Sequence, residues 1–228
     1  MAKSTTYLQM CQKARSECSI AGSGPSSVEN QTGILEKLVG WVIDAWTEIQ
    51  NERTDWLFMW KTFSFDTQSG KADYLVEVTD LKRWGTSEEG KPITAYLVSE
   101  GVAGEYELIY WPYDYFRSIY LRGTQTNNKP FHYTIRPDGT LLLGPTPDGV
   151  YKLQGEYFKE TQILSANGDV VQLENDYVNI VKWLTVRMYA ENQEDAGLYD
   201  SADSKYTRLK GQLCRKFLPK IEFGMPLA

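Results

Sequence analysis

One histidine, His132, serves a chain of 228 residues. That leaves no material for a His-rich metal site and makes any Ser-His-Asp triad depend on a single residue. His132 stands between Phe131 and Tyr133 in an alternating run, so it is expected on the outer face of a strand, and no G-x-S-x-G elbow accompanies it. Cysteine is equally scarce. Cys11, Cys18 and Cys214 are an odd set without zinc-ligand spacing. In a helix Cys11 and Cys18 would stand two turns apart, roughly 10 Å, too far to bridge. A reducing, cytosolic compartment is therefore expected, and the Asn30-Gln31-Thr32 triplet should carry no glycan. No apolar run reaches membrane-spanning length, and the opening MAKSTTYLQMCQKARSECS lacks the apolar core of a signal peptide. Gly22-Ser23-Gly24 follows a helical pattern and lacks both a third glycine and the G-K-[ST] of a phosphate loop, so an interhelical loop is expected. These absences predict no catalytic residue, no metal, no cofactor and no membrane.

What the chain has in excess is aromatic surface. Aromatics make up 13% of the residues and 15 are tyrosine, a residue that suits half-buried and interface positions. Four of the seven tryptophans fall between Trp41 and Trp60. In that region Ile34, Leu38, Trp41, Ala45, Ile49 and Trp56 recur at helical spacing. A helix from Thr32 to about Phe58 is predicted, capped by Thr32 or Gly33, with Glu36 in its first turn; it would run roughly 40 Å. Val42, Trp46, Met59 and Trp60 fall away from the centre of this stripe. They are surplus aromatic and apolar surface, expected at a subunit contact and at the junction with the segment that follows.

The remaining elements follow in order. A short helix is predicted over residues 4–18, with Ser4 as cap and Tyr7, Cys11, Ala14 and Cys18 on its apolar side. Beyond Thr62 the period changes to two. Phe63 and Phe65, then Tyr74, Val76 and Val78, read as strands, and LKRWGTSEEGKP as a polar connection. Further strands are expected at Ile93 to Val98 and Tyr106 to Tyr110, and a short helix at Pro112 to Leu121. Phe131, Tyr133 and Ile135, then Thr140 to Leu143, then Val150 to Phe158 form three strands joined by two Pro-Asp-Gly turns, which predicts an antiparallel meander. Helical period returns after Leu173 with Tyr177, Ile180 or Val181, Leu184 and Met188. A last helix carries Leu198, Ala202, Tyr206, Leu209, Leu213 and Phe217 and is stopped by Pro219.

The fold class expected from this order is α+β: a four-helix antiparallel bundle, of two N-terminal and two C-terminal helices, with an inserted antiparallel β-rich domain. The domain boundaries would be 1–61 and 172–217 for the bundle, 62–171 for the insertion and 218–228 for an extended tail. Charge follows the same division. Net charge is -6, residues 62–171 hold 10 basic and 15 acidic groups, and the stretch from Lys205 to Lys220 holds six basic groups and no acid. Lys205, Arg208, Gln212 and Arg215 share one face of the last helix. That face is either a solvated end complementing the helix dipole or a contact for an acidic partner, protein or DNA phosphate. Glu105 with Glu107, and Glu88 with Glu89, are expected as solvated surface. A glycosidase would need two such acids facing across a cleft.

The segments TYLQMCQKARSECSI, GPSSVENQTG, IQNERTDWLFMW, IRPDGTLLLGPTPDGVYKLQGEYF and EDAGLYDSA, in this order and spacing, resemble the head-to-tail adaptor (connector, or head-completion) proteins of tailed bacteriophages. The likeness covers nearly the whole chain, although Val178-Asn179 replaces the acid or histidine expected after Tyr177. The resemblance implies a noncatalytic structural protein of the virion neck, made in the host cytoplasm. It would form a ring, commonly of 12 copies, that binds the portal protein above and a tail or nozzle protein below. Helices would pack side by side around the ring, the β-rich part would project, and DNA would cross the lumen without sequence-specific binding. An acidic β-rich part fits that passage, since like charge repels phosphate. The tail residues Leu218, Pro219, Ile221, Phe223, Met225 and Leu227 would reach the portal. The rival readings are a cell-wall or carbohydrate-active enzyme and a glycan-binding module, each built on the β-rich part.

Overall fold

The computed structural model describes residues 5–75 and 78–219. Two compact units emerge, one from both ends of the chain, up to Phe58 and from Thr161, the other from Met59–Glu160. The described residues include α-helices at Tyr7–Glu17 (α1), Ile34–Asn51 (α2), Tyr113–Tyr120 (α3), Asn179–Asn192 (α4) and Ala196–Phe217 (α5). Strands run at Trp60–Asp66 (β1), Asp73–Tyr74 (β2), Leu81–Trp84 (β3), Thr94–Leu97 (β4), Tyr106–Glu107 (β5), Ile109–Tyr110 (β6), His132–Ile135 (β7), Leu141–Gly144 (β8) and Tyr151–Lys159 (β9).

In the first unit, α1 starts from a capping box. The Thr6 hydroxyl accepts from the Gln9 N–H at 3.3 Å and the Gln9 side chain accepts from the Thr6 N–H at 3.2 Å, which satisfies two orphan donors. The cap is thus Thr6; Ser4 lies outside the described residues. Helix α2 begins after Gly33, whose φ of 62° suits glycine, and it ends at Asn51, well short of Phe58. Trp56 does not continue the helix. It folds back and donates its indole N–H to the Ile49 carbonyl at 2.9 Å, fully buried. The buried side of α2 is broad, comprising Leu38, Val39, Val42, Ala45, Trp46, Ile49 and Gln50, whereas Trp41 is half-buried, edge-on to Tyr189.

The central helix of this unit is α4, which packs against α1, α2 and α5. Its buried residues, Ile180, Val181, Leu184, Thr185, Val186 and Ala190, spread around the cylinder, as expected of a helix enclosed on several sides. A polar knot ties the segment after Thr161 to α2. Gln50 accepts from the Gln162 N–H at 2.8 Å and donates to the Gln162 carbonyl at 3.0 Å. The Gln162 side chain in turn accepts from the Trp46 indole at 3.1 Å and donates to the Val170 carbonyl at 2.9 Å.

The second unit consists of two sheets with a core between them. The first sheet has the order β1-β9-β4-β5, with β3 also on β9. The other has the order β2-β8-β7-β6. Alternation along the strands sends Phe63, Ala95, Leu153 and Tyr157 of the first sheet and Tyr74, Tyr133, Leu141 and Leu143 of the second into the shared core. Gly144 lies on the opposite face of its strand, where α3 covers the second sheet. A Cβ there would stand 2.5 Å from Tyr120 Cδ2 and 2.8 Å from Phe116 Cε2, so only glycine admits the helix. Gly144→Ala should destabilise this unit by about 2 kcal/mol through overpacking. Chemical denaturation followed by tryptophan fluorescence would show the earlier transition, and an unshifted midpoint would contradict this packing.

These findings correct the expected architecture. Five α-helices and two sheets are present among the described residues, and they do not form a four-helix antiparallel bundle with an inserted antiparallel domain; the class that stands is a general mixed α+β. The strands are not all antiparallel, because β6 and β7 pair in parallel, Ile109 with His132 and Tyr110 with Tyr133. The three C-terminal strands do not form one meander: β7 and β8 pair in the second sheet, while β9 crosses to the centre of the first. Within the polar connection lies β3. There Arg83 stacks over the Phe158 ring at 4.0 Å and pairs with Glu89 at 2.7 Å, while Trp84 enters the core.

Candidate interaction surfaces

Three surfaces carry exposed side chains that make no ion pair among the described residues. The first is the outer face of the five-stranded sheet. Cross-strand register places Ser64, Gln154, Thr94 and Glu107 in one row and Thr62 with Glu156 in the next. Glu105 joins Thr62, Thr94, Gln154 and Glu156 around a shallow depression on this face. Glu156 is paired with Lys91 at 3.4 Å and Asp66 with Lys152 at 2.6 Å. Glu105 and Glu107 are exposed and make no ion pair among the described residues. Glu88 and Glu89 lie apart from them in a short 3-10 turn.

The second surface is built by α3. Phe116 faces inward and is buried, while Tyr115 and Ile119, one turn apart, are exposed at 53% and 46%. The segment from Leu121 to Asn128 is exposed throughout. Arg117 and Arg122 are exposed here and make no ion pair among the described residues. Beneath the helix an aromatic stack fixes its position. Trp111 lies flat on the His132 ring at 3.7 Å, and the Tyr120 hydroxyl bonds His132 Nδ1 at 2.7 Å. His132 is therefore half-buried under α3 rather than free on a sheet surface.

Burial disfavours the imidazolium and holds the His132 pKa below its ordinary 6.5. The sign follows directly. A depressed folded pKa means the unfolded chain binds the proton first, so this contribution to stability is present above pH 6.5 and is lost as pH falls through the folded pKa. As His132 is the chain's one histidine, its ring proton resonance can be read without assignment. Its titration midpoint should fall below 6.5 in the unaltered chain and rise in Trp111→Ala, which uncovers one face of the imidazole. A midpoint already at 6.5 in the unaltered chain would contradict the buried stack.

The third surface is the outer side of α5. Lys205 sits over the Trp183 ring at 3.8 Å, so its charge is partly engaged within the chain. Arg208, Gln212 and Arg215 are exposed, and the two arginines make no ion pair among the described residues. Their neighbours are engaged, Lys210 with Glu52 and Lys216 with Glu174 at 3.8 Å.

Residues expected at a subunit contact fall differently. Val42 and Trp46 are fully buried and Met59 nearly so, which makes them core side chains with no surface to offer a neighbour. Only Trp60 reaches solvent, at 36% exposure, with Lys91 over its ring at 3.5 Å. Of the tail, Leu218 is half-buried and Pro219 exposed, while Ile221, Phe223, Met225 and Leu227 lie outside the described residues. The aromatic run from Tyr106 to Tyr120 reads from sequence as core and subunit contacts or a sugar or base platform; what that reading leaves out is the charge beside it, since the stretch from Tyr115 to Pro137 holds four basic residues and no acid inside an otherwise acidic segment.

No group of three or more His, Cys, Asp or Glu among the described residues is placed to hold a metal ion, and no described helix is long and apolar enough to cross a membrane. Burial pushes the Cys11 and Cys18 thiols up to about 12, which suits inert core positions. Compared with known proteins, residues 5–216 match a family model described as SU10 adaptor protein. No curated protein matches the chain.

Proposed function

Since the chain belongs to the SU10 adaptor protein family, whose members are structural adaptor proteins of the phage virion, we propose that it joins the portal vertex of the head to the tail. In this reading copies of the chain form a ring, of 12 by the resemblance, that extends the DNA channel at the neck and contacts a tail or nozzle protein on its far side. The observation that carries the proposal is the span of the match, which runs through both compact units rather than one of them. The surfaces support it. Unpaired acidic and unpaired basic side chains sit in separate patches, as a head-to-tail ring requires, because each copy must offer two different faces to its neighbours.

The domain division read from the sequence enters the proposal as a division of labour. The helical unit would meet the portal through the tail after Phe217, and the unit around Met59–Glu160 would project. Arg208 and Arg215 on α5 would face an acidic partner or the passing DNA, and Trp60 would serve a copy-to-copy contact. Mass photometry of the purified chain with purified portal tests the reading. It predicts a discrete complex of portal plus a full ring, and free portal beside free chain at micromolar concentration would overturn it.

A further inference from the structure

The Met59–Glu160 unit distributes its charge unevenly between its two outer faces. The stretch from Tyr115 to Pro137 holds four basic residues and no acid, while the rest of the unit holds seven basic and 14 acidic residues. Of the four, Lys129 sits over the Tyr106 ring of β5 at 3.8 Å and Arg136 pairs with Asp138 at 3.6 Å, which leaves Arg117 and Arg122 to the α3 face. The core fills the space between the two sheets, so the outer face of the first sheet points away from the α3 face of the other. One carries exposed Glu105 and Glu107 at the edge strand β5; in the connection from β4 to β5 next to it, Glu100 is exposed and Val98 and Val102 are exposed at 43% and 62%. The opposite face carries exposed Arg117 and Arg122 with exposed Tyr115, Ile119 and Leu121. The one acid on α3, Asp114, lies in its first turn, where the helix dipole favours it. Among the described residues, Glu100, Glu105, Glu107, Arg117 and Arg122 make no ion pair.

We infer that the α3 face of one copy docks on the β5 edge of the next, with Arg117 and Arg122 against Glu105 and Glu107. The occupant is a second copy of this chain. A protomer that carries complementary charge on opposite faces of one unit satisfies both when stacked head to tail, with one patch of each kind per contact. DNA would match the arginines but leave Tyr115, Ile119 and Leu121 facing phosphate, without an apolar partner. The β5 edge offers one in Val98 and Val102. Edge strands β5 and β6 would also be covered by such a contact, which removes two open strand edges from the assembled surface.

The inference rests on the ring reading above, and the test separates the two. Two charge-reversed chains are made, R117E/R122E and E105K/E107K, and ring formation on portal is followed by mass photometry across chain concentration. Each alone should need at least a tenfold higher concentration for half-assembly, because like charges then meet at every contact. Mixed in equal amounts they should recover to within about threefold of the unaltered chain, since in an alternating ring every second contact again joins opposite charges and the others join the two reversed patches to each other in the same sense. Circular dichroism and thermal midpoints establish that each variant is folded; should one not be, the unaltered ring's salt dependence serves instead, and it should loosen from about 0.05 M to about 0.5 M salt as surface charge is screened. Variants that assemble as the unaltered chain does, a mixture that fails to recover, or a ring indifferent to salt would overturn this contact and leave the ring reading standing. An unaltered chain that builds no ring would overturn both.

Discussion

A chain ended after Leu218 should fold as the full chain does and fail to join portals. The folding half of this result follows from where α5 stops. Among the described residues Phe217 is the last buried one, edge-on against Phe58 and Tyr177 at 5.6 and 5.3 Å, and Leu218 is only half-buried. The binding half follows from sequence. The removed segment carries Ile221, Phe223, Met225 and Leu227, four apolar side chains within a short stretch. Buried on a partner, each would contribute about 1.5–3 kcal/mol, less the cost of ordering the segment. Even half of that sum corresponds to a loss of affinity of more than about a hundredfold per copy. The truncated chain should show an unchanged thermal midpoint and no complex with portal. Unimpaired joining by the truncated chain would remove the tail from the account.

Gln50→Leu should cost about 3 kcal/mol of the helical unit's stability. Gln50 is 1% exposed, and its amide satisfies both the N–H and the carbonyl of Gln162. Leucine fills the volume but leaves the two half-buried backbone groups of Gln162 without this partner, at about 1–3 kcal/mol each. The loss should also release the Trp46 indole from the Gln162 side chain, since the same residue holds both. Urea denaturation would show a lower midpoint with an unchanged slope, together with a shifted tryptophan emission in the native state. A midpoint within experimental error of the unaltered chain would mean that the segment after Thr161 is held by packing alone.

Several elements are legible in the sequence because one physical pattern determines them. The stripe on α5, from Ala202 through Tyr206, Leu209 and Leu213 to Phe217, is buried as its spacing implies. So is the α1 stripe of Tyr7, Cys11 and Ala14. Other elements obey two constraints at once, and spacing alone misplaces them. The α2 stripe lies one residue off the centre its spacing implies, because packing by more than one neighbour makes a wide buried face that takes in Val42 and Trp46. The expected helix overruns its true end because Trp56 keeps helical spacing with Ile49, yet reaches the same core by a reversed chain and an indole hydrogen bond. The central role of α4 is hidden by the very lack of a stripe that marks an enclosed helix. Strand β3 is masked by Lys82 and Arg83, whose charged ends stay at the surface while Trp84 is buried. The crossing of β9 to the other sheet leaves no local signature, since its alternation suits either sheet equally.

The candidate surfaces divide in the same way. A sequence identifies which side chains carry charge, but only the fold reveals which of them are already engaged. Lys205 belongs by spacing to a free basic face and is partly held by Trp183. Glu105 and Glu107 pair by spacing on one strand face, and the register of β4, β5 and β9 puts them on an open polar sheet opposite α3. In the proposed ring, separation of the two charged faces by the core of the unit gives each copy a direction.

The most direct test of the central claim is an electron cryomicroscopy map of the neck of virions that contain this chain. The account predicts a closed ring of this chain between portal and tail, with the C-terminal segment on the portal and α3 of each copy against β5 of the next. A neck without such a ring, or this chain located elsewhere in the particle, would contradict it.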